Sequence, residues 1–238
     1  MSLKQIKEVS SVFVITLFTV SLFAQYPAHS DDAQFWMFIK LDKPLSKKLS
    51  IELDQQTRLT DNMHQLSYSF CDLGLRYKLS RYLHFGASYV FIINNSLYHN
   101  NSQPVSSYRH QYYAYVQFRY KLGNWKFTNR LMFQPQVKDI YSSDVGRVPV
   151  YYCRNKIGID YELNKRFTPY FDCDIYYLLN MNTSLGSRIH RIRYFLGTNF
   201  MYSKRTSFGL YYLIQKPFNE IYSETDYVVG LNFNHTFY

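Results

Sequence analysis

From residue 34 onward, apolar and polar positions alternate with period two over long stretches. Between 66 and 79, Cys71, Leu73, Leu75, Tyr77 and Leu79 fall on one face, and Asp72, Gly74, Arg76 and Lys78 fall on the other. In 125–136, Phe127, Leu131 and Phe133 oppose Lys126, Thr128, Arg130, Met132 and Gln134; in 167–178, Phe171, Cys173 and Ile175 oppose Asp172, Asp174 and Tyr176. The pattern predicts strands with one oily and one charged face at 34–41, 49–59, 65–79, 83–94, 108–122, 125–137, 149–163, 167–178, 189–202, 206–215 and 225–238. Soluble strands average about five or six residues, whereas most of these reach ten or more, enough for a tilted membrane-spanning strand with some overhang.

The connections fall into two sets. Five are short and basic: Ser46-Lys47-Lys48, Ser80-Arg81, Gly123-Asn124, Asn164-Lys165-Arg166 and Ser203-Lys204-Arg205. Their regular spacing, with centres near residues 47, 80, 123, 165 and 204, makes an internal repeat of strand, turn, strand, loop. The other connections, at 60–64, 95–108, 139–149, 179–188 and 216–224, are mostly longer and polar. Short turns at one end and longer loops at the other are the asymmetry of outer-membrane barrels, whose short turns face the periplasm. An all-β, antiparallel up-and-down transmembrane barrel of 10–12 strands is the fold expected. Eleven segments are countable, yet antiparallel closure needs an even number, so ten or twelve is expected, with 34–41 as the segment in question.

Composition supports strands. The 238 residues include 25 Tyr, 19 Phe and 2 Trp, and bulky side chains suit a pleated surface. Tyr68, Tyr108, Tyr112, Tyr113, Tyr151, Tyr176, Tyr177, Tyr211, Tyr212 and Tyr227 toward the loop ends, and Tyr77, Tyr82, Tyr120, Tyr161, Tyr202 and Trp125 near the turns, suggest the two aromatic bands of a membrane protein. At the start, Lys4 and Lys7 precede an uncharged run from Val9 to Phe23, which marks residues 1–24 as a signal peptide and 25–33 as a linker before the barrel at 34–238. Removing 1–24 lowers the formal charge from +10 to +9. Ten basic residues lie in or beside the short turns, which argues against a nucleic-acid groove. Cys71, Cys153 and Cys173 have neither disulfide nor metal-ligand spacing. Phosphate loops and HExxH are absent too, so neither cofactor nor metal is expected.

Several ordered segments resemble one known family: Gln34-Phe35-Trp36, LSKKLSIELDQQTR at 45–58, DLGLRYKLSRYLHFGASYVF at 72–91, RHQYYAYVQFRYKLG at 109–123, YCRNKIGIDYELN at 152–164, TPYFDCDIYY at 168–177 and TDYVVGLNFNHTF at 225–237. The resemblance is to the outer-membrane β-barrel family known only as domain of unknown function 2490, and it spans nearly all of the chain after the signal. It implies an outer-membrane barrel and no established activity. The acid this family carries in the strand after TPY is here Asp172 or Asp174.

If the oily face meets lipid, parity places Glu52, Asp54, Arg58, Asp72, Arg76, Arg109, Arg119, Arg130, Arg154, Lys156, Asp160, Asp172, Asp174, Arg191 and Arg193 in the lumen. These groups could pair across the barrel and fill it, or line a narrow pore selecting small anionic solutes. The slight excess of basic groups is the hint of anion preference. The expected partners are outer-membrane lipid, the barrel-assembly machinery during insertion, which meets the terminal Phe237 and Tyr238, and small anionic solutes. The alternative is an outer-membrane hydrolase with a His-based site at the outer rim, from His99 or His190 with Ser184, Ser187, Asp139 or Asp144. No defined spacing ties these together, and His110 falls on the lipid face, with His84 and His235 near the turns.

Overall fold

The structure, a computed structural model, describes residues 31–97, 104–138, 150–179, 188–218 and 225–238. The expected signal peptide and the centres of four loops, with His99, Asp139, Asp144, Ser184 and Ser187, lie outside the described residues. Among the described residues the chain forms eleven strands: β1 (Asp32–Pro44), β2 (Leu49–Thr60), β3 (Gln65–Lys78), β4 (Leu83–Leu97), β5 (Pro104–Leu122), β6 (Trp125–Lys138), β7 (Val150–Tyr161), β8 (Phe167–Leu178), β9 (Ile189–Met201), β10 (Thr206–Pro217) and β11 (Asp226–Thr236). They close into one barrel in sequence order. The expected even number is corrected to eleven, because closure is not antiparallel. β1 runs parallel to β11, from Asp32 beside Asp226 to Asp42 beside Thr236. The segment in question is therefore a full strand, and a parallel seam is how an odd barrel satisfies every edge.

The repeat in the short turns has a local cause. Ser46 Oγ accepts hydrogen bonds from the backbone N–H groups of Lys48 and Leu49. Ser80 does the same for Tyr82 and Leu83, Asn164 Oδ1 for Arg166 and Phe167, and Ser203 for Arg205 and Thr206. In each case a short polar side chain satisfies the turn's own donors, the common use of Ser and Asn at such positions. The fifth turn uses Gly123 at φ 57°, as a two-residue hairpin requires. Lys47, Lys48, Arg81, Lys165, Arg166 and Lys204, which follow Ser or Asn, are left at exposed corners, and Arg205 lies over the Tyr238 ring.

The two faces separate by parity. Leu53, Leu73, Leu75, Val116, Phe118, Leu131, Phe133, Ile157, Phe171, Leu196, Leu210 and Leu231 point outward and are exposed, the belt that a bilayer covers. Tyr77, Tyr120 and Trp125 border it at the turn end, and Tyr108, Tyr112 and Tyr177 at the loop end. Tyr68, Tyr113, Tyr176 and Tyr211 depart from the expected band and line the lumen instead. Their positions share the parity of Asp72, Arg109, Asp174 and Leu213, so the pleat aims them inward. All three thiols are free, and Cys71, Cys153 and Cys173 sit on the outward parity. A lipid-soluble maleimide is expected to label them in the reconstituted barrel while a charged, membrane-impermeant maleimide leaves them unmodified; preferential labelling by the charged reagent would show that this face is not lipid-covered.

Candidate functional site

The lumen holds a cavity of about 1200 Å³. It survives in a narrow barrel partly because large rings lie flat against the wall. Tyr115 faces Gly86, Tyr170 faces Gly197 and Tyr211 faces Gly230, each pair directly opposed across neighbouring strands. A Cβ on Gly230 would stand 2.0 Å from Tyr211 Cζ, and one on Gly197 would stand 2.7 Å from Tyr170 Cζ. Glycine is what lets these rings lie along the sheet rather than across the opening.

All twelve residues expected in the network or pore lining point inward. Asp54, Arg58, Asp72, Arg130, Arg154, Lys156, Asp172, Arg191 and Arg193 line the cavity. Glu52, Arg76 and Asp174 are covered by their ion-pair partners. Toward the turn end, Arg76 is held between Glu52 and Asp42, and Lys40 stands 3.4 Å from both Glu52 and Asp54. Asp72 accepts a hydrogen bond from Tyr113 Oη at 2.6 Å, and Lys156 pairs with Asp172 at 2.7 Å. Asp174, fully buried, is gripped by Arg154, whose Nε lies 2.7 and 2.8 Å from its two carboxylate oxygens and whose Nη2 also donates to it. Asp160 is held by Lys126 at the turn end.

Arg119 and Arg130 form no ion pair among the described residues and donate to Gln117 instead, and the loop half holds a larger group of this kind. Among the described residues, Arg58, Arg191 and Arg193 form no ion pair. They are held by aromatic rings and neutral groups instead. The Arg58 guanidinium stacks 3.7 Å from the centroid of Trp36 and 4.4 Å from that of Phe70, and donates to Gln56. Arg193 lies 5.3 Å from the other side of this cluster at Trp36 and 4.9 Å from Tyr176, donating to Tyr176 Oη at 2.7 Å and Gln215 at 2.6 Å. Arg191 and Arg154 also lie over Tyr176, at 5.4 and 4.7 Å. Two rings thus tie together four guanidinium groups that share one tightly bound carboxylate. Arg58 Nε is buried without a hydrogen-bond partner. Cation–π contact offsets part of this crowding, by about 0.5–2 kcal/mol per contact, but leaves the net positive charge in place. Asp32 and Asp226 sit above at the seam's rim, with Asp226 bound by Gln215 and Asp32 by Gln34.

The described histidines do not converge. His190 Nδ1 accepts from Arg191 Nε at 2.9 Å, and its ring packs edge-on against Tyr152. His110 lies on the outward face against Tyr89. His84 is buried on the inward face near the turns, and His235 bonds Thr206. Among the described residues no group of three or more His, Cys, Asp and Glu side chains could hold a metal ion.

The profile of the family described as protein of unknown function DUF2490 matches residues 33–223. The chain belongs to this family. No curated protein matches the chain in sequence. Among solved structures, the DUF2490 barrel is similar to the NanC porin, at 11% identity and a TM-score of 0.50, covering 85% of this chain and 98% of that one. It is also similar to the translocator domain of the autotransporter NalP from Neisseria meningitidis, at 11% identity and a TM-score of 0.41, covering 72% and 70% of the two chains. The anion-selective porin from Comamonas acidovorans matches at 11% identity and a TM-score of 0.37, over 81% and 56%. The NanC likeness shows a shared barrel fold and nothing finer.

Proposed function

We propose that this DUF2490 protein is an integral outer-membrane barrel that works as a narrow channel for small anionic solutes rather than as an enzyme. The observation that carries the proposal is the set of three luminal arginines, Arg58, Arg191 and Arg193, without carboxylate partners among the described residues, beside a cavity of about 1200 Å³. Like charges held together at fixed positions in a restricted space cost free energy unless something anionic joins them. Guanidinium groups suit that role because their donors match oxyanions. The apolar belt, the aromatic borders and the division into short turns and longer loops support a place in the outer membrane with the turns toward the periplasm. Export by the expected signal peptide and insertion by the barrel-assembly machinery belong to the same proposal.

In planar bilayers the intact protein is expected to give current steps with chloride favoured over potassium, read from the reversal potential in a salt gradient. Arg58→Gln combined with Arg193→Gln should bring the permeability ratio toward unity by about threefold or more, since charge rings set selectivity in narrow pores. Silence at all voltages, or a ratio indifferent to both substitutions, counts against the channel.

A further inference from the structure

The inward face is not uniformly polar. At mid-height, Phe38, Phe70, Val90, Ile92, Met132 and Phe195 line the cavity, where a water-filled barrel ordinarily carries polar side chains. They come from β1, β3, β4, β6 and β9 and form an incomplete collar, interrupted by the polar side chains of β2, β5, β7 and β8. The arginine sector is continuous with it. Phe70 packs under Arg58 at 4.4 Å, and Phe195 adjoins the cluster of Trp36, Tyr211, Leu213 and Val228 on which Arg193 rests. An apolar collar next to cations without acid partners among the described residues is the chemistry of a site for a molecule with both an anionic head and an apolar body. Binding pockets commonly combine apolar walls with a few placed polar groups.

We propose that the lumen binds organic carboxylates with an aromatic or similarly apolar body, the carboxylate on Arg58, Arg191 and Arg193 and the body against the collar. This rests on the anion-channel proposal and deepens it by naming the solute class. An inorganic anion or acetate would use the arginines alone. A larger apolar carboxylate would also cover the half-buried rings of Phe38, Phe70 and Phe195, a gain of about 25 cal/mol per Å² removed from water.

The test is calorimetric titration of the folded, detergent-solubilised barrel with acetate, benzoate, 2-naphthoate and the neutral 2-naphthalenemethanol, with partition into protein-free micelles subtracted. Affinity is expected to rise from acetate to naphthoate by about tenfold or more. The neutral alcohol should bind far more weakly than naphthoate. Phe70→Ser and Phe38→Ser should remove the naphthoate advantage and leave acetate binding in place, whereas Arg193→Gln should weaken both anions. Retained heat-modifiable gel migration identifies the variants that still fold. Equal affinity for acetate and naphthoate, or for naphthoate and the alcohol, overturns the proposal. If chloride selectivity persists in bilayers while naphthoate shows no advantage, this inference alone fails; if the intact protein shows no anion selectivity, the channel proposal beneath it fails.

Discussion

Asp174→Asn is expected to destabilise the barrel by about 3 kcal/mol, at the lower end of the cost of breaking a buried ion pair by removing one partner. Asp174 is fully buried, and Arg154 makes three contacts to it from two donor nitrogens, Nε and Nη2. Asparagine keeps the shape and one acceptor but removes the charge. Arg154 is then left with Tyr176 and with Arg193, a like charge on the same ring. Because the Arg154 side chain is about a fifth exposed, water offsets part of the loss, which places the estimate at the low end. The measurement is the urea midpoint at which the heat-modifiable band is lost. Replacing both partners, Arg154→Met with Asp174→Leu, should recover much of the deficit, because no lone charge then remains. A single variant as stable as the parent would mean that the pair is solvated in the folded barrel.

The parallel seam sets a second, all-or-none expectation. β1 starts at the loop end beside the start of β11, and β11 finishes at the turn end. The chain therefore enters the barrel on one side of the membrane and leaves it on the other. An epitope inserted just ahead of Asp31 should be bound by antibody on intact cells, whereas one inserted at Gly123-Asn124 should be bound only after the outer membrane is opened. An even, antiparallel barrel would place both epitopes on the turn side, so an Asp31 epitope hidden in intact cells would refute the seam.

Much of this architecture is legible in the residues because strand parity and turn chemistry are local. The alternation in 167–178 predicts β8 with its observed bounds, and the serines of LSKKL, LSRYL and YSKRT act within their own turns. The same parity aims Arg58, Arg154 and Arg193 inward. The histidine and serine candidates for a hydrolase carried no comparable local signal.

Other features depend on pairings that no segment contains. Tyr176 belongs to the loop end of its strand by position, but the pleat that turns Asp174 inward also turns Tyr176 toward Arg193. Phe70 and Ile92 look like lapses in alternation until the β3–β4 register sets them side by side on the cavity wall.

By itself, then, the sequence determined a membrane-type barrel with short basic turns, an oily exterior and charged residues inside, because each of those follows from neighbours one to four positions apart. Only the tertiary structure decided that eleven strands close through a parallel seam, that Asp174 belongs to Arg154, and that Arg58, Arg191 and Arg193 stand without described acids beside an apolar collar. The ion pair depends on the β7–β8 register, and the seam and the arginine cluster on the register accumulated around the whole ring, which brings together residues more than a hundred positions apart.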